Sequence, residues 1–345
     1  MKRRPPSEET GVPAVSIIMP AHNTEVYIGE AIDSALNQTW SNFELIVVDD
    51  GSSDATAEVA ARRVARDPRV RLMRRVQGGP SAARNSGLGA ARGRLFALLD
   101  SDDLWAPTYL QEQISILDSS PDVAIVTANA ISLGGSFDGQ PLRATSGECR
   151  RLSPLEILEC EEAVCIMSVF RREVVERIGG FDERIRTSED YQFWIRAALA
   201  GFAIVQNPRP LGLYRRRPDG NHSADEIRSL SGLVRVFEEA RHVCLGRPAE
   251  RAVIDRQIER FERELLAVEA KTALRRRDYQ LAADRFESLH QREGGAFLAA
   301  VAAACRYTPV PLFWFFRGRG AIRQILHRRR PVNRSMDFPE KQVSV

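Results

Sequence analysis

The sequence predicts a doubly wound α/β fold, a mostly parallel sheet with helices on both faces, followed by a helical extension. Three observations carry this expectation. Largely apolar runs at 15–19, 43–48 and 95–99 have the length and continuity of strands buried on both faces. Each is followed within a few residues by a turn and then by a helix-forming stretch. The links are too short for anything but local crossovers, which are right-handed in parallel sheets.

In order, residues 1–13 are polar with three prolines and read as a loose arm. The strand at 15–19 stops at Pro20, and Tyr27, Ile28, Ala31, Ile32, Ala35 and Leu36 form the apolar stripe of a helix. The strand at 43–48 runs into Asp49-Asp50-Gly51-Ser52-Ser53-Asp54, then a helix to about residue 66 with Ala57, Ala60 and Val64 inward. A strand at 70–73, a Gly78-Gly79-Pro80-Ser81 turn, a helix over 82–91, the strand at 95–99, a helix over 107–117 and a strand at 123–127 complete five βα-type repeats. Ser153 is the expected N-cap of a helix with Pro154 in its first position. A strand at 167–170, a helix over 173–178 ended by Gly179, and a helix opened by Glu189-Asp190 follow.

Length and composition bound the function. The 345 residues are 43% hydrophobic and 28% charged, the balance of a soluble globular protein. A net charge of +3 is too small to argue for nucleic acid as a partner. The five cysteines form no CxxC pair and read as reduced thiols, the usage of a cytoplasmic protein. The basic N-terminus lacks the apolar core of a secretory signal, and no 18-residue uncharged apolar stretch exists.

The chemistry concentrates where strands end. After the apolar run 95–99 come Asp100, Asp102 and Asp103 within four positions. Burying them would cost several kcal/mol per ion, so they belong at the open end of the strand. They can cap the helix after Pro107, or they can ligate a hard divalent ion with oxygen donors alone. Pro20, Asp49 and Asp50 fall at equivalent strand ends, which is where ligands bind in open α/β sheets.

Six segments in order carry a resemblance: Ser16-Ile17-Ile18-Met19-Pro20-Ala21-His22-Asn23, Val47-Val48-Asp49-Asp50-Gly51-Ser52, Ala83-Arg84-Asn85-Ser86-Gly87, Asp100-Ser101-Asp102-Asp103, Gly179-Gly180-Phe181-Asp182-Glu183 and Ser188-Glu189-Asp190-Tyr191-Gln192-Phe193-Trp194. Together they resemble the family 2 glycosyltransferases, which share the GT-A fold, a mixed and mostly parallel sheet. The resemblance implies a catalytic domain over 14–220 and a helical C-terminal extension over 221–345. It implies a nucleotide-sugar donor (UDP-, GDP- or dTDP-sugar) with Mn²⁺ or Mg²⁺, and an inverting transfer to an acceptor hydroxyl. Carried over, Pro20, His22 and Asn23 edge the base pocket, Asp50 accepts from a ring N–H, and Arg84 pairs with the diphosphate or shapes the nucleotide pocket. Asp100 and Asp102 are the acids of the Asp-x-Asp signature, Asp102 on the metal and Asp100 nearer the ribose. Asp190 matches the general base with Glu189 as fallback, and Arg215 lies in a segment of Tyr214-Arg215-Arg216-Arg217 and Asn221-His222-Ser223 expected to close over the diphosphate.

The C-terminal third is charged with helical periodicity, and Ala270 to Leu274 with Tyr279 to Phe286 suggests one helical hairpin. Beyond it, 310–316 is aromatic and 317–330 holds six arginines and no acid. That pattern is expected either to pack on the catalytic domain or to meet an anionic membrane face peripherally, which would suit a lipid-linked rather than a free saccharide acceptor. Other nucleotide-binding classes fit less well. Gly87-Leu88-Gly89-Ala90-Ala91-Arg92-Gly93 precedes a strand instead of following one, no P-loop exists, and Pro20-Ala21-His22-Asn23 stands where a nucleotidyltransferase needs a glycine-rich loop. The non-enzymatic alternative is a degenerate family member that binds sugar nucleotides or acts as a scaffold.

Overall fold

Strands β1 (Val15–Ala21) and β2 (Phe43–Asp49) are buried along their whole length, as strands covered on both faces must be. The computed structural model describes residues 12–145, 147–217, 226–244 and 246–307. Between β1 and β2 runs α1 (Ile28–Leu36), burying Ile28, Ala31, Ile32 and Ala35, the stripe its sequence predicts. α2 (Thr56–Val64), β3 (Val70–Arg74), α3 (Pro80–Ala90) and β4 (Leu95–Leu98) follow. β5 (Leu104–Trp105), α4 (Tyr109–Ser119), β6 (Val123–Leu133), β7 (Arg150–Leu152), α5 (Pro154–Glu159), β8 (Ser168–Arg171), α6 (Arg172–Ile178), α7 (Glu189–Leu199) and β9 (Ala203–Arg215) complete the sheet region.

The nine strands form one mixed sheet in the order β3-β2-β1-β4-β8-β6-β9-β5, with β7 on β9. β1 to β4 are mutually parallel, and β6 and β9 share their direction through the antiparallel β8. The chain steps outward from β1 to β2 to β3, then returns across to β4. Right-handed crossovers therefore place α1 and α2 on one face and α3 on the other. α3 lies close to the sheet because Gly87 faces it: a Cβ there would sit 2.6 Å from Ile18 Cγ2 and 3.3 Å from Val48 Cγ2.

Two features depart from the sequence reading. β8 inserts antiparallel between β4 and β6, so the strand after 123 does not extend the parallel series directly. β9 runs thirteen residues despite Pro208 and Pro210, which argue against a central strand. Register shifts around Asn129, opposite Pro210, absorb them. Ser153 caps α5 as expected, in a full capping box with Glu156.

Compactness divides the chain into Met1–Glu259 and Arg260–Val345. α8 (Glu226–Val243) lies in the first unit and the division falls within α9 (Pro248–Arg276). In the second unit α10 (Tyr279–Glu293) and α11 (Ala296–Tyr307) pack against each other, and Ala270, Ala273, Ala282, Phe286, Leu289, Val301 and Cys305 form its core. The helical hairpin expected there is thus present. No helix among the described residues is long and apolar enough to cross a membrane. The 1–11 part of the N-terminal arm, the Asn221-His222-Ser223 segment and the aromatic and arginine-rich stretch at 310–330 lie outside the described residues.

Candidate active site

The order of strands reverses between β1 and β4, and a cleft of about 770 Å³ opens at their carboxyl ends. Pro20 and His22 from the end of β1, Asp50 after β2, and Asp100 and Asp102 after β4 line it, together with Glu189 and Asp190 at the start of α7. The acids after β4 and the acids of α7 are ninety residues apart in sequence and share one wall-to-wall space. Asn23 and Arg215 are not part of that lining.

Asp50 holds the glycine turn in place. Its carboxylate accepts from the Gly78 N–H at 3.0 Å and the Gly79 N–H at 2.7 Å, and pairs with Arg75. Gly79 has φ +93°, a conformation open to glycine, and it caps α3 with Pro80 in the first turn. His22 bonds the Asp50 carbonyl oxygen through Nδ1 at 3.0 Å, while its Nε2 lies 3.2 Å from Asn23 Nδ2 and 3.1 Å from Gln77 Nε2. Two amide N–H groups aimed at Nε2 require that nitrogen to be the acceptor, so the proton sits on Nδ1. Asn23 reaches the other way: its Oδ1 accepts from Ser53 N–H at 2.9 Å and its N–H donates to Ser52 Oγ at 3.0 Å. It clamps the loops after β1 and β2 to each other from outside the cleft.

The three acids after β4 sit in different environments. Asp102 is pushed up to about 6, first by burial and then by the Asp100 charge, against the pull of Arg217 at 3.8 Å. Asp103 is only 2% exposed and is pushed well above the usual carboxylate range by burial. Its Oδ1 accepts from the Arg215 N–H at 2.8 Å and its Oδ2 has no hydrogen-bond partner. Arg215 braces this loop from behind: its Nε donates to the Asp102 carbonyl oxygen at 2.8 Å and its Nη2 pairs with Glu30 at 2.7 Å. Alternation along β9 explains the difference between neighbours, since Tyr214 and Arg216 line the cleft while Arg215 turns toward α1.

Arg84 joins the two acid groups. At 3% exposure it donates through Nη2 to Asp100 Oδ1 at 2.8 Å and through Nη1 to Glu189 Oε1 at 2.6 Å. Despite burial its basicity is raised, because the charges of Asp100, Glu189 and Asp190 surround it. Glu189 is thereby committed. Asp190 accepts from the Tyr191 N–H at 2.8 Å, its one hydrogen bond among the described residues, and burial together with the Glu189 charge pushes it up to about 6. Ser188, just before it, adopts the left-handed conformation at φ +60°, a strained backbone that turns the α7 amino end into the cleft.

The donor set fits a divalent cation in a limited way. Asp100 and Asp102 offer hard oxygen ligands to the cleft, and a cation would offset the burial and the Asp100 charge that raise Asp102. No group of three or more candidate ligands exists among the described residues, so the remaining positions would fall to phosphate oxygens and water, the usual pattern for Mg²⁺. The residues that sequence reasoning missed are Arg75, Gln77 and the Gly78-Gly79 amides, and Arg143 and Arg186, whereas Arg217 belongs to the segment expected over the diphosphate. Only the glycine turn had a visible signal, because the arginines reach the site from connections whose folding the sequence pattern does not specify.

The family model for glycosyl transferase family 2 matches residues 16–179. A succinoglycan biosynthesis protein of Rhizobium meliloti, ExoO, is 36% identical over 220 residues, covering 60% of this chain and 62% of its own length. The chain thus covers less than two thirds of that relative. Among solved structures, residues 1–349 of S. aureus TarS in complex with UDP-GlcNAc superpose with TM-score 0.61 at 19% identity, covering 87% of this chain and 89% of that fragment. The mannosyltransferase PcManGT of Pyrobaculum calidifontis, solved with GDP-Man and Mn²⁺, gives TM-score 0.57 at 21% identity over 92% of this chain and 86% of its own. The fold is the GT-A fold of these neighbours, and over residues 16–179 the chain is similar to glycosyl transferase family 2.

Proposed function

We propose that this protein is an inverting, non-processive glycosyltransferase that moves one sugar from a UDP-, GDP- or dTDP-sugar to an acceptor hydroxyl in the synthesis of a bacterial surface polysaccharide or glycolipid. The observation that carries the reading is the Arg84 cross-link, which draws the Asp100–Asp102 acids and the Glu189–Asp190 acids into one cleft. The nucleotide would lie along Pro20, His22 and Asp50, and its diphosphate beside Asp102 and Arg217. Asp100 and Asp102 would hold Mn²⁺ or Mg²⁺, which when bound supplies Lewis-acid stabilisation of the departing diphosphate. Asp190, not Glu189, would take the acceptor proton, because Glu189 is held by Arg84 while Asp190 faces the cleft with an acidity already tuned toward neutrality. Transfer then proceeds in line: the acceptor oxygen attacks the anomeric carbon as its proton passes to Asp190, and the nucleoside diphosphate leaves from the opposite side. The catalytic part would be 14–220, acting in the cytoplasm or at the cytoplasmic face of a membrane that the tail touches peripherally.

Thermal stabilisation by a panel of nucleotide sugars with Mn²⁺ tests the donor. One of them should raise the melting temperature, and Asp102→Ala should abolish the metal-dependent part of the shift. Donor binding without turnover on any acceptor would mark a sugar-nucleotide-binding protein instead.

A further inference from the structure

The arginines of the cleft differ in what they face. Arg84 and Arg217 stand against carboxylates. Arg143 forms no ion pair with any described residue. Its Nη1 donates to the Glu162 carbonyl oxygen at 2.8 Å, its Nη2 to the Ala128 carbonyl oxygen at 2.5 Å, and its Nε is buried without an acceptor. Burial holds this guanidinium below its ordinary basicity. A half-buried cation with no ion-pair partner among the described residues is stabilised by any anion that reaches it.

Position says which anion. Arg143 stands on the connection between β6 and β7, where Leu142, Val164 and Ile166 give the cleft an apolar wall. Cys165, in that wall, has its thiol pushed up to about 11 by burial, with the charges of Arg143 and Asp190 both acting on it. The guanidinium, Cys165 and the base of the proposed reaction all line the same cleft. The donor phosphates have their own arginine at Asp102, namely Arg217 at 3.8 Å.

We infer that Arg143 seats an anionic group of the acceptor, a phosphate ester or a carboxylate, beside the hydroxyl that Asp190 deprotonates. This rests on the glycosyltransferase reading for the word acceptor, but the anion site can be tested without it. The planar fork of arginine suits either oxyanion.

Calorimetric titration of the whole protein with two matched pairs decides the matter: geranyl phosphate against geraniol, and methyl glucuronide against methyl glucoside. In at least one pair the charged member should bind at least tenfold more tightly, and the pair in which it does so identifies the source of the charge. Arg143→Gln should erase that difference while leaving the affinity for UDP, GDP or dTDP with Mn²⁺ unchanged. Equal binding within both pairs overturns the inference, and this comparison needs only the wild-type protein should Arg143→Gln not fold. Parallel loss of nucleotide binding in the variant also overturns it, because Arg143 would then serve the donor. Absence of nucleotide binding in the wild type defeats the glycosyltransferase reading alone.

Discussion

At the amino ends of the strands, Glu44 is 2% exposed and completely answered. Its carboxylate accepts from Ser16 Oγ at 2.8 Å, from the Arg92 N–H at 2.7 Å and from Arg71 at 2.8 Å, so its acidity is held below the ordinary value although burial opposes this. At the opposite rim of the sheet, Asp102 and Asp103 after β4 and Asp190 at the start of α7 are displaced the other way by burial and by neighbouring acids. Both ends bury acids; they differ in the donors supplied. The Glu44 network closes the sheet's base as a finished piece of structure. The opposite rim is left short of donors, and such sites release that tension only when a ligand arrives.

The sharpest break of the comparison is Asp190→Asn. It should lower transfer by about 10²–10⁴-fold while donor affinity, read by titration, stays within a factor of a few. Glu44→Ala should do the reverse. It strands the Ser16 hydroxyl and the Arg92 N–H, and chemical denaturation should show a loss of about 3 kcal/mol with activity per folded molecule retained.

The pH dependence separates the two ends further. With Asp190 titrating at about 6, the transfer rate should fall about tenfold per pH unit below that value. Stability follows from the sign of each shift. Asp190, raised from 3.8, favours the folded state most below that pH, and its contribution is lost as pH rises through about 6. Glu44, lowered from 4.5, contributes stability above that pH and loses it on acidification. Melting curves of Asp190→Asn and Glu44→Ala against wild type should therefore diverge with pH in opposite senses. Gly87→Ala should have the smallest effect, about 1–3 kcal/mol of stability, because the added methyl meets Ile18 and Val48 of the shared sheet and not either acid group.

Much of the fold was legible. The βα repeats, the stripe of α1 and the Ser153 cap depend on residues within one or two turns of each other, and so does the clustering of acids at strand ends. β9 was not legible, because Pro208 and Pro210 hide a strand whose bulges are set by its partner β6. Within the site, Asp50, Asp100, Asp102, Glu189 and Asp190 were visible as candidates with roles implied by the resemblance, whereas the Arg84 bridge that holds Glu189 and not Asp190 was not. Asn23 and Arg215 carry motif positions yet clamp the loops from outside, a distinction made by which way a strand or turn rotates the side chain.

The sequence by itself determined which residue types could do chemistry and which strand ends they would occupy, since apolar runs and turn formers act locally. Only the tertiary structure decided that Arg84 would bind Glu189 and leave Asp190 facing the cleft, and that Arg143 would line it with no ion-pair partner among the described residues. Those outcomes turn on a few ångströms between elements distant in sequence, and buried charges respond to their immediate neighbours far more than to their place in the chain.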